Sequence, residues 1–427
     1  MVKQLLIIAT LDTKGREAAF VVDAARELGF QTILMDIGTL GEPLVTPDIS
    51  RDQLASAAQR DLNELVAKGD RSGAVKLVED GGAIVAQRLV AEEGVGGVLG
   101  MGGGTGTAIA TSIMRTLPYG IPKMVVSTVA SRDVREYVGT KDIVMFHSVA
   151  DLLGFNYFTR LVLKQAVHAV CGMVQAGTNL GNETRLVAVV TAYGIDSACA
   201  AFAEPALAAL GYEMIGFHAN GCGGMAMEGL IGQGMIAGVL DFTPHEVADE
   251  LYGGYCRGIG EDRLETAGRM GVPFVFAPGG LDNAVFSPHY PMPDSLKGRR
   301  IHHHDTRFCV RMEAEEMEIF AETIARKLNK TKGPGYVLIP TRGWSEADKP
   351  GKDLHAPDVD RIFTQKLKGL LDARIPIEEM DTHLCDPEFA RRGVAILDRM
   401  IRRKEEYQRK MVVLNGLLER VGKQRKI

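Results

Sequence analysis

The sequence predicts an α/β protein with two Rossmann-like, doubly wound parallel-sheet domains and a C-terminal helix. Short apolar runs alternate with amphipathic segments along the chain, as strands and helices do in βα units. The alternation stops at a polar stretch that contains glycine, residues 175–183, and then begins again. The chain has 427 residues, more than a single hydrophobic core usually holds. We therefore place an N-terminal domain at 1–176 and a C-terminal domain at 184–427.

Apolar runs predict the strands of both domains. The run at 5–9 is apolar throughout, as expected for a central parallel strand with helices on both faces. The predicted strands of the first domain are 5–9, 32–35, 95–99, 124–128 and 143–146, and a long helix is predicted at 151–174. Those of the second domain are 186–190, 214–217, 237–240, 274–276, 337–339 and 377–380. Helices are predicted there at 197–210 and 314–329, with a charged C-terminal helix at 387–420.

Composition excludes several classes of function. The formal net charge of −5 argues against nucleic acid as the main partner, because no basic field dominates. No apolar stretch reaches about 18 residues, so no membrane span is expected. The N-terminus has no signal-peptide pattern, and the six cysteines include no C-x-x-C pair. We therefore expect a cytoplasmic protein with reduced thiols, and we also expect a homo-oligomer.

A glycine-rich run separates the third predicted strand from the helix that follows it. Its sequence is GMGGGTGT, residues 100–107. A strand, a glycine turn and a helix together present free backbone N–H groups to an anion at the helix N-terminus. Glycine lets the backbone approach a phosphate closely, and the hydroxyls of Thr105 and Thr107 can donate to its oxygens. The run therefore predicts phosphate or nucleotide binding, with a tight turn without a ligand as the alternative.

The run differs from the two best-known phosphate loops. It lacks the G-x-G-x-x-G spacing of dinucleotide-binding proteins with its later acidic residue, and no Gly-Lys-Ser/Thr closes it as in a Walker A loop. It resembles the GGGTGT loop of the tubulin and FtsZ GTPases. That family has glycine where this chain has Ala108, and a glycine-rich loop where this chain has TLDTKG after its first strand. The sequence therefore does not favour a tubulin-type GTPase.

Residues that follow the predicted strands of the first domain are candidate nucleotide ligands, because ligands of open α/β sheets bind beyond the carboxyl ends of the strands. Lys14 could neutralise a phosphate, and Asp36 could accept a hydrogen bond from a ribose hydroxyl. A helix cap or a turn is the alternative role for each. The candidates are Thr10, Asp12, Thr13, Lys14, Gly15, Asp36, Gly102, Gly103, Gly104, Thr105, Gly106, Thr107, Ser127 and Thr128.

The strand ends of the second domain predict another pocket, for an anionic substrate. We expect Arg311 to clamp a carboxylate or phosphate, and His218 or His304 to act as acid or base beside an aspartate. Salt bridges and caps scattered over the domain are the alternative. The predicted catalytic residues are His218, Asp241, Asp282, His304, Asp305 and Arg311.

No residue is assigned to a metal. The run HHHD, residues 302–305, does not have the spacing of an established zinc site, and Arg307 nearby disfavours a cation. Hydrogen bonding to an acidic substrate is the preferred role of this run, and metal binding stays open as the alternative. His245 and Glu246 begin a sequence that does not match the H-E-x-x-H pattern.

Several motifs together resemble the tobamovirus-resistance-type ATP-binding domain family. They are ATLDTKG, GMGGGTGT, TAYG, HANGCGG, APGGLDN and HHHDTRFCVRMEAEE, and they cover the chain to about residue 392. The resemblance implies a two-subdomain α/β protein that binds ATP near the glycine loop, with contacts at 10–15 and 102–107. ATP is thus the expected cofactor, and Mg²⁺ is its candidate companion ion.

Two hypotheses for the function follow. In the first, the protein binds ATP and is an enzyme that acts on a small acidic metabolite, in a cleft between the two domains. In the second, it is a non-catalytic nucleotide-binding regulatory or scaffold protein. The dense polar loops of the second domain favour the first hypothesis. The lack of Walker and kinase motifs in the sequence favours the second.

Overall fold

The computed structural model describes residues 3–177, 185–191 and 197–424, and for 185–191 and 412–424 it describes the backbone alone. The chain divides into two compact units, Met1–Asn182 and Glu183–Ile427. Of the predicted linker, residues 178–183 lie outside the described part of the chain, whereas residues 175 and 176 belong to a helix.

Parallel strands form a single sheet in the first unit, with helices on both faces. The strands are β1 (Gln4–Ala9), β2 (Gln31–Asp36), β3 (Val95–Gly102), β4 (Lys123–Ser127) and β5 (Ile143–His147). The helices are α1 (Leu11–Glu27), α2 (Arg51–Ala57), α3 (Leu62–Ala67), α4 (Arg71–Glu92), α5 (Gly104–Arg115), α6 (Arg135–Val138) and α7 (Tyr157–Ala176). The strand order is β2-β1-β3-β4-β5, so the direction of winding reverses between β1 and β3.

The apolar side chains of β1 alternate between two cores. Leu5 and Ile7 pack on the face that α1 and α7 cover. Leu6 and Ile8 pack on the opposite face, which α2, α4 and α5 cover. All four side chains are fully buried. Burial on both faces explains why this strand is apolar at every position from Leu5 to Ala9 instead of at every second one.

Strand β3 carries glycine where a side chain would collide with a helix. A Cβ atom at Gly97 would lie 2.4 Å from Cγ2 of Val174 in α7, and one at Gly102 would lie 2.7 Å from the Cα of Gly106 in α5. The glycines therefore let the two helices approach opposite faces of the strand. The sequence predicted that this strand ends at residue 99, but its pairing with β4 continues to Gly102.

The second unit contains a parallel sheet and a small antiparallel one. Its strands are β6 (Arg185–Thr191), β7 (Tyr212–His218), β8 (Gly238–Asp241), β9 (Phe274–Phe276), β10 (Asn283–Phe286), β11 (Ile301–His303), β12 (Phe308–Arg311), β13 (Gly335–Pro340) and β14 (Ile377–Met380). Its helices are α8 (Ala198–Ala208), α9 (Cys222–Gly232), α10 (Glu246–Tyr252), α11 (Thr266–Arg269), α12 (Ala314–Leu328), α13 (Pro357–Leu370) and α14 (Pro387–Gln424). The parallel sheet has the order β14-β13-β9-β8-β6-β7. Phe276 and Phe320 belong to the core on one face, and Val275 and Phe389 to the core on the other.

The antiparallel sheet was not predicted from the sequence. Its strand order is β10-β12-β11, and its register pairs Asn283 with Arg311 and Ile301 with Val310. These strands have three or four residues each, too few for a period of two to stand out. The pairing places residues 283 and 311 side by side although they are distant in the sequence.

The helix predicted at 151–174 begins later, at Tyr157. Asn156 caps it, because its side-chain oxygen accepts from the backbone N–H groups of Phe158 and Thr159 at 2.9 and 3.0 Å. A capping residue has extended backbone angles, so the helix does not continue upstream of it.

The predicted fold class is confirmed: both units are Rossmann-like, with parallel sheets between layers of helices, and α14 follows as the C-terminal helix. Across the residues that the structure describes, none of the helices is both long enough and apolar enough to cross a bilayer.

We expect the Gly102→Ala variant to be destabilised by about 1–3 kcal/mol, because its methyl group would overlap the backbone of Gly106. The midpoint of thermal unfolding, followed by circular dichroism, measures the effect. Gly104→Ala is the matched control, since a Cβ atom there would meet open space among the described residues. Equal midpoints for the two variants would contradict the close packing of β3 on α5.

Candidate functional site

An open cleft of about 260 Å³ lies at the carboxyl edge of the first sheet, where the strand order reverses between β1 and β3. Ligands of open α/β sheets bind at such a reversal point. Thr10 and the first turn of α1 form one wall, and the beginning of α5 forms another. The lining residues are Thr10, Asp12, Thr13, Lys14, Ile37, Thr39, Leu40, Arg71, Gly103, Gly104, Thr105, Gly106 and Ile109.

The glycine loop shapes the wall that α5 provides. Strand β3 ends at Gly102, Gly103 is the N-cap of α5, and Gly104 is the first helical residue. The first N–H groups of a helix have no partner within the helix, and Gly103 has no side chain that could accept from them. Thr105 is exposed next to these groups. Backbone donors at the positive end of the helix dipole therefore line the cleft.

The charged side chains of the cleft are mainly cationic. Lys14 donates to the backbone carbonyl of Leu152, and its ammonium group has two further N–H donors. Arg71 is exposed at the first position of α4. Asp12 supplies a carboxylate, whose Oδ2 accepts from the N–H of Gly41 at 3.2 Å. Two cations and one carboxylate favour an anionic ligand.

A smaller pocket of about 80 Å³ adjoins the cleft. Thr39, Leu40 and Arg71 line both spaces. The complete lining of the smaller pocket is Thr39, Leu40, Val66, Gly69, Asp70, Arg71 and Ala74. The polar cleft thus continues into a slot between aliphatic side chains.

The predicted nucleotide ligands fall into two groups. Those that line the cleft are Thr10, Asp12, Thr13, Lys14, Gly103, Gly104, Thr105 and Gly106. Those outside its lining are Gly15, Asp36, Gly102, Thr107, Ser127 and Thr128. Thr10, the first turn of α1 and the first turn of α5 therefore account for the lining that the sequence anticipated.

Asp36 and Thr107 have structural roles instead of the predicted ligand roles. Asp36 is 1% exposed, and its Oδ1 accepts from the N–H groups of Leu11 and Gly38 at 3.0 and 2.8 Å. Burial raises the pKa of Asp36. Thr107 is fully buried, and its hydroxyl forms a hydrogen bond of 2.7 Å with the Ser127 hydroxyl. The structure therefore does not support a ribose contact for Asp36 or a phosphate contact for Thr107.

Thr39, Leu40 and Arg71 of the lining were not predicted from the sequence. The predicted ligands directly follow strands, whereas Leu40 lies four positions beyond the end of β2 and Arg71 begins α4. Only the path of the long connection between β2 and α4 brings these side chains to the cleft. The position of Arg71 at the N-terminus of α4 could have indicated a ligand. The helix dipole disfavours a cation there, so an arginine at that position suggests an anionic partner.

In the second unit, Asp282 and Arg311 belong to one buried charged cluster. Both side chains are fully buried. The Arg311 guanidinium donates to Asp360 and lies 3.5 Å from Oδ1 of Asp348. Asp282 accepts from the Ser345 hydroxyl at 2.7 Å. Arg311 therefore pairs with carboxylates of its own chain and, being fully buried, does not present the clamp for a free anion that the sequence predicted.

Charging all the carboxylates of this cluster is unfavourable. Burial, followed by repulsion from Asp282 and Asp360, raises the pKa of Asp348 to about 8. Burial also raises the pKa of Asp360 to about 6, although the Arg311 charge acts in the opposite direction. The folded second unit therefore binds a proton here at neutral pH.

Asp241 belongs to a separate buried cluster around Arg263. The Arg263 guanidinium is fully buried, donates twice to Asp241 and once to Glu246, and lies 3.6 Å from Oε1 of Glu228. Glu246 also accepts from the N–H of Gly221 at 2.7 Å. Burial raises the pKa of Glu228 and of Glu246, although the Arg263 charge opposes it. The cluster connects β8, α9, α10 and the loop after β7.

His218, His304 and Asp305 are exposed. His304 and Asp305 lie in the turn between β11 and β12, where Asp305 pairs with Arg307. The predicted catalytic residues are thus divided between two buried clusters and the surface. The single pocket that the sequence suggested for them is not formed.

A third buried group, His245, Asp249 and Cys256, was missed. Its potential ligand atoms all lie within 4.8 Å of one another. The Nδ1 atom of His245 lies 2.9 Å from the carbonyl oxygen of Gly280, and Nε2 lies 3.6 Å from Oδ2 of Asp249. In the sequence, His245 stood out only as a mismatch to the H-E-x-x-H pattern. A histidine at the start of a helix and an aspartate four residues later were the feature that could have found the group.

Family models match both units of the chain. The N-terminal domain model of the uncharacterised protein family UPF0261 matches residues 3–179, and its C-terminal domain model matches residues 185–401. The chain belongs to the UPF0261 family. Its cleft therefore lies in the UPF0261 N-terminal domain, and its buried charged clusters lie in the UPF0261 C-terminal domain.

Relatives of this UPF0261 chain occur in bacteria and in a plant. A UPF0261 protein of Clostridium tetani is 38% identical over 409 residues, which cover 95% of this chain and 100% of the relative. One from Rhizobium meliloti is 35% identical over 396 residues, covering 92% and 98%. The ToMV resistance protein Tm-1(GCR237) of Solanum lycopersicum is 37% identical over 307 residues, covering 70% of this chain and 41% of that protein. The family that the motifs suggested is therefore confirmed.

We expect the second unit to become less stable as pH rises, because Asp348 then loses the proton that it binds in the folded chain. The raised pKa lets the folded chain keep a proton that the unfolded chain loses near the ordinary value of 3.8. This contribution is full below pH 3.8 and is lost as pH rises to about 8. Urea unfolding, followed by fluorescence of Trp344, should show the loss across this range.

The Asp348→Asn variant should lack this component, so its stability should depend less on pH than that of the wild type. Asp358→Asn, at an exposed position of α13, is the control and should keep the wild-type dependence. The same pH dependence in wild type and Asp348→Asn would contradict the assignment.

Proposed function

We propose that the first unit binds ATP in the cleft between the first turn of α1 and the N-terminus of α5. One observation carries the proposal. Backbone donors of the glycine loop, two cationic side chains and an aliphatic slot line adjoining spaces at the reversal point of the sheet. A nucleotide has the matching combination of an anionic part and a flat, largely apolar part.

The glycine loop supports binding of the phosphates. A Cβ atom at Gly104 would point into open space, so a phosphate oxygen can approach the backbone there without obstruction from neighbouring described residues. The exposed hydroxyl of Thr105 adds a donor beside the backbone N–H groups. Lys14 and Arg71 would add charge-assisted hydrogen bonds from the other walls.

The aliphatic slot supports binding of the base. Leu40 is 66% exposed and Val66 is 44% exposed, although both line a concave pocket. A planar base between them would remove this apolar surface from water. Arg71 lines both spaces, so its guanidinium could stack on the base and also reach a phosphate.

Asp12 is the residue of the cleft that could hold Mg²⁺ beside the phosphates. Magnesium in nucleotide sites is usually bound by one or two carboxylates, several waters and the phosphates themselves. One Asp12 oxygen accepts from the N–H of Gly41, and the carboxylate keeps further lone pairs for an ion or its waters.

Two functions remain compatible with nucleotide binding. In the first, the protein is an ATP-dependent enzyme that acts on a small acidic metabolite. In the second, it binds the nucleotide for regulation without turnover. Arg263 and Arg311 favour the second function, because each pairs with carboxylates of its own chain and not with an open pocket. Release of inorganic phosphate from ATP, measured with and without added small carboxylates, distinguishes the two.

We expect the Gly104→Val variant to lose at least about tenfold in affinity for ATP, since its side chain would occupy the space assigned to a phosphate. Isothermal titration calorimetry measures the affinity. Gly172→Val is the matched control, because this glycine also lies in a helix of the first unit and has open space around it among the described residues. If ATP does not bind to the folded wild type, the proposal is wrong.

We expect the Arg71→Ala variant to bind ATP more weakly by about 1–3 kcal/mol, from the loss of a charge-assisted hydrogen bond to a phosphate. A thermal-shift titration should show a correspondingly smaller stabilisation at each ATP concentration. Arg88→Ala changes an exposed arginine of the same helix away from the cleft, and it should bind like the wild type. Equal losses in both variants would indicate a general charge effect and contradict the role of Arg71.

A further inference from the structure

A histidine, an aspartate and a cysteine converge in the interior of the second unit. His245 precedes α10, Asp249 lies within it, and Cys256 lies in the loop that follows. Their exposed fractions are 2%, 0% and 0%. We propose that these three residues hold one divalent metal ion of the zinc class, through an imidazole nitrogen, a carboxylate oxygen and the thiolate.

Hydrogen bonding determines which imidazole nitrogen is available to the ion. Nδ1 of His245 lies 2.9 Å from the carbonyl oxygen of Gly280. A carbonyl oxygen only accepts, so Nδ1 carries the proton and donates it. In the neutral imidazole, Nε2 is therefore the nitrogen with a lone pair for a metal. Histidines that bind metals commonly donate their other N–H to a backbone carbonyl in this way.

The separation of the atoms suits ligands of a single ion. Nε2 of His245 lies 3.6 Å from Oδ2 of Asp249, which is longer than an ordinary hydrogen bond. Two atoms that each lie about 2.0–2.3 Å from a tetrahedral ion are separated by roughly 3.3–3.7 Å. The Cys256 sulfur completes a set whose members all lie within 4.8 Å of one another. Small inward shifts would bring all three to bonding distance.

Backbone donors hold the Asp249 carboxylate in place. Its Oδ1 accepts from the N–H of Val285, and its Oδ2 accepts from the N–H of Cys256, both at 2.7 Å. Each carboxylate oxygen has a second lone pair, so these bonds leave room for a metal. The bond to Cys256 also fixes the backbone that carries the thiol. The ligands are therefore oriented by a surrounding shell of hydrogen bonds, as in established metal sites.

The kinds of donor and their charges select the class of metal. Thiolate and imidazole favour zinc and similar transition metals over magnesium and calcium, which prefer oxygen ligands. One thiolate, one carboxylate and one neutral imidazole balance the charge of a divalent ion. The loaded site would thus be neutral, which its burial requires. Because the ligands are inaccessible, the ion would enter as the second unit folds and would have a structural role.

The same geometry disfavours a catalytic relay of cysteine, histidine and aspartate. In such a relay the nucleophile and the carboxylate lie at opposite nitrogens of the imidazole. Here Asp249 lies on the side of Nε2, and the Gly280 carbonyl occupies Nδ1. Cys256 is also fully buried, so a substrate has no access to its sulfur.

The test is metal uptake by the full chain. The protein is unfolded in chelator, freed of metal and refolded with Co²⁺, which replaces zinc and absorbs light when a thiolate binds it. The wild type should take up about one cobalt per chain and show thiolate-to-cobalt charge transfer. Zinc content of protein purified from zinc-supplemented cells provides a second measurement on the same chain.

The Cys256→Ser variant should lose the charge-transfer absorption and bind cobalt at least about tenfold more weakly. Cys309→Ser is the matched control, because Cys309 is a fully buried cysteine of the same unit, and this variant should keep both properties. Folded wild type without zinc and without cobalt charge transfer would overturn the proposal, whether or not Cys256→Ser folds. Equal uptake by Cys256→Ser and the wild type would overturn it as well.

Discussion

The close approach of β3 and α5 at Gly102 and Gly106 is the contact on which the cleft of the first unit depends. With no Cβ atom on either residue, the end of the strand can lie directly against the first turn of the helix. The helix N-terminus therefore opens at the carboxyl edge of the sheet, next to the loop that leaves β1. The glycine run thus has two roles. Gly102 and Gly106 allow the strand and the helix to pack closely, and Gly103 and Gly104 leave the backbone open to the cleft.

Buried charge is organised differently in the second unit. Arg263 and Arg311 are both fully buried, and each is surrounded by carboxylates from several elements. A buried guanidinium without such partners would be very costly, so each cluster restricts how the surrounding loops can pack. Polar residues at strand ends can thus bind a ligand or connect loops to one another. Their position after a strand in the sequence does not distinguish these two roles.

The group around His245 illustrates how a hydrogen bond to the backbone assigns a chemical role. The Gly280 carbonyl comes from the loop after β9, whereas His245 comes from the connection between β8 and α10. Their contact fixes the orientation of the imidazole and turns one nitrogen toward Asp249. The residue types alone, a histidine, an aspartate and a cysteine, would fit a catalytic nucleophile with its base as well as they fit a metal site.

Local sequence patterns were enough to predict the fold class, the strands of both parallel sheets and the family. Continuous apolar runs and helical periodicity are local properties, and they follow directly from burial on both faces of a sheet. They also located the glycine run and the residues that follow β1, because both come directly after strands. The contacts of the polar residues, in contrast, depend on the tertiary structure. Asp36 accepts hydrogen bonds from backbone N–H groups, and Arg311 pairs with Asp360. Arg71 lines the cleft although its helix is far from the glycine run in the sequence. These outcomes depend on which segments the fold brings together, and no local pattern encodes distances between segments that are far apart in the chain.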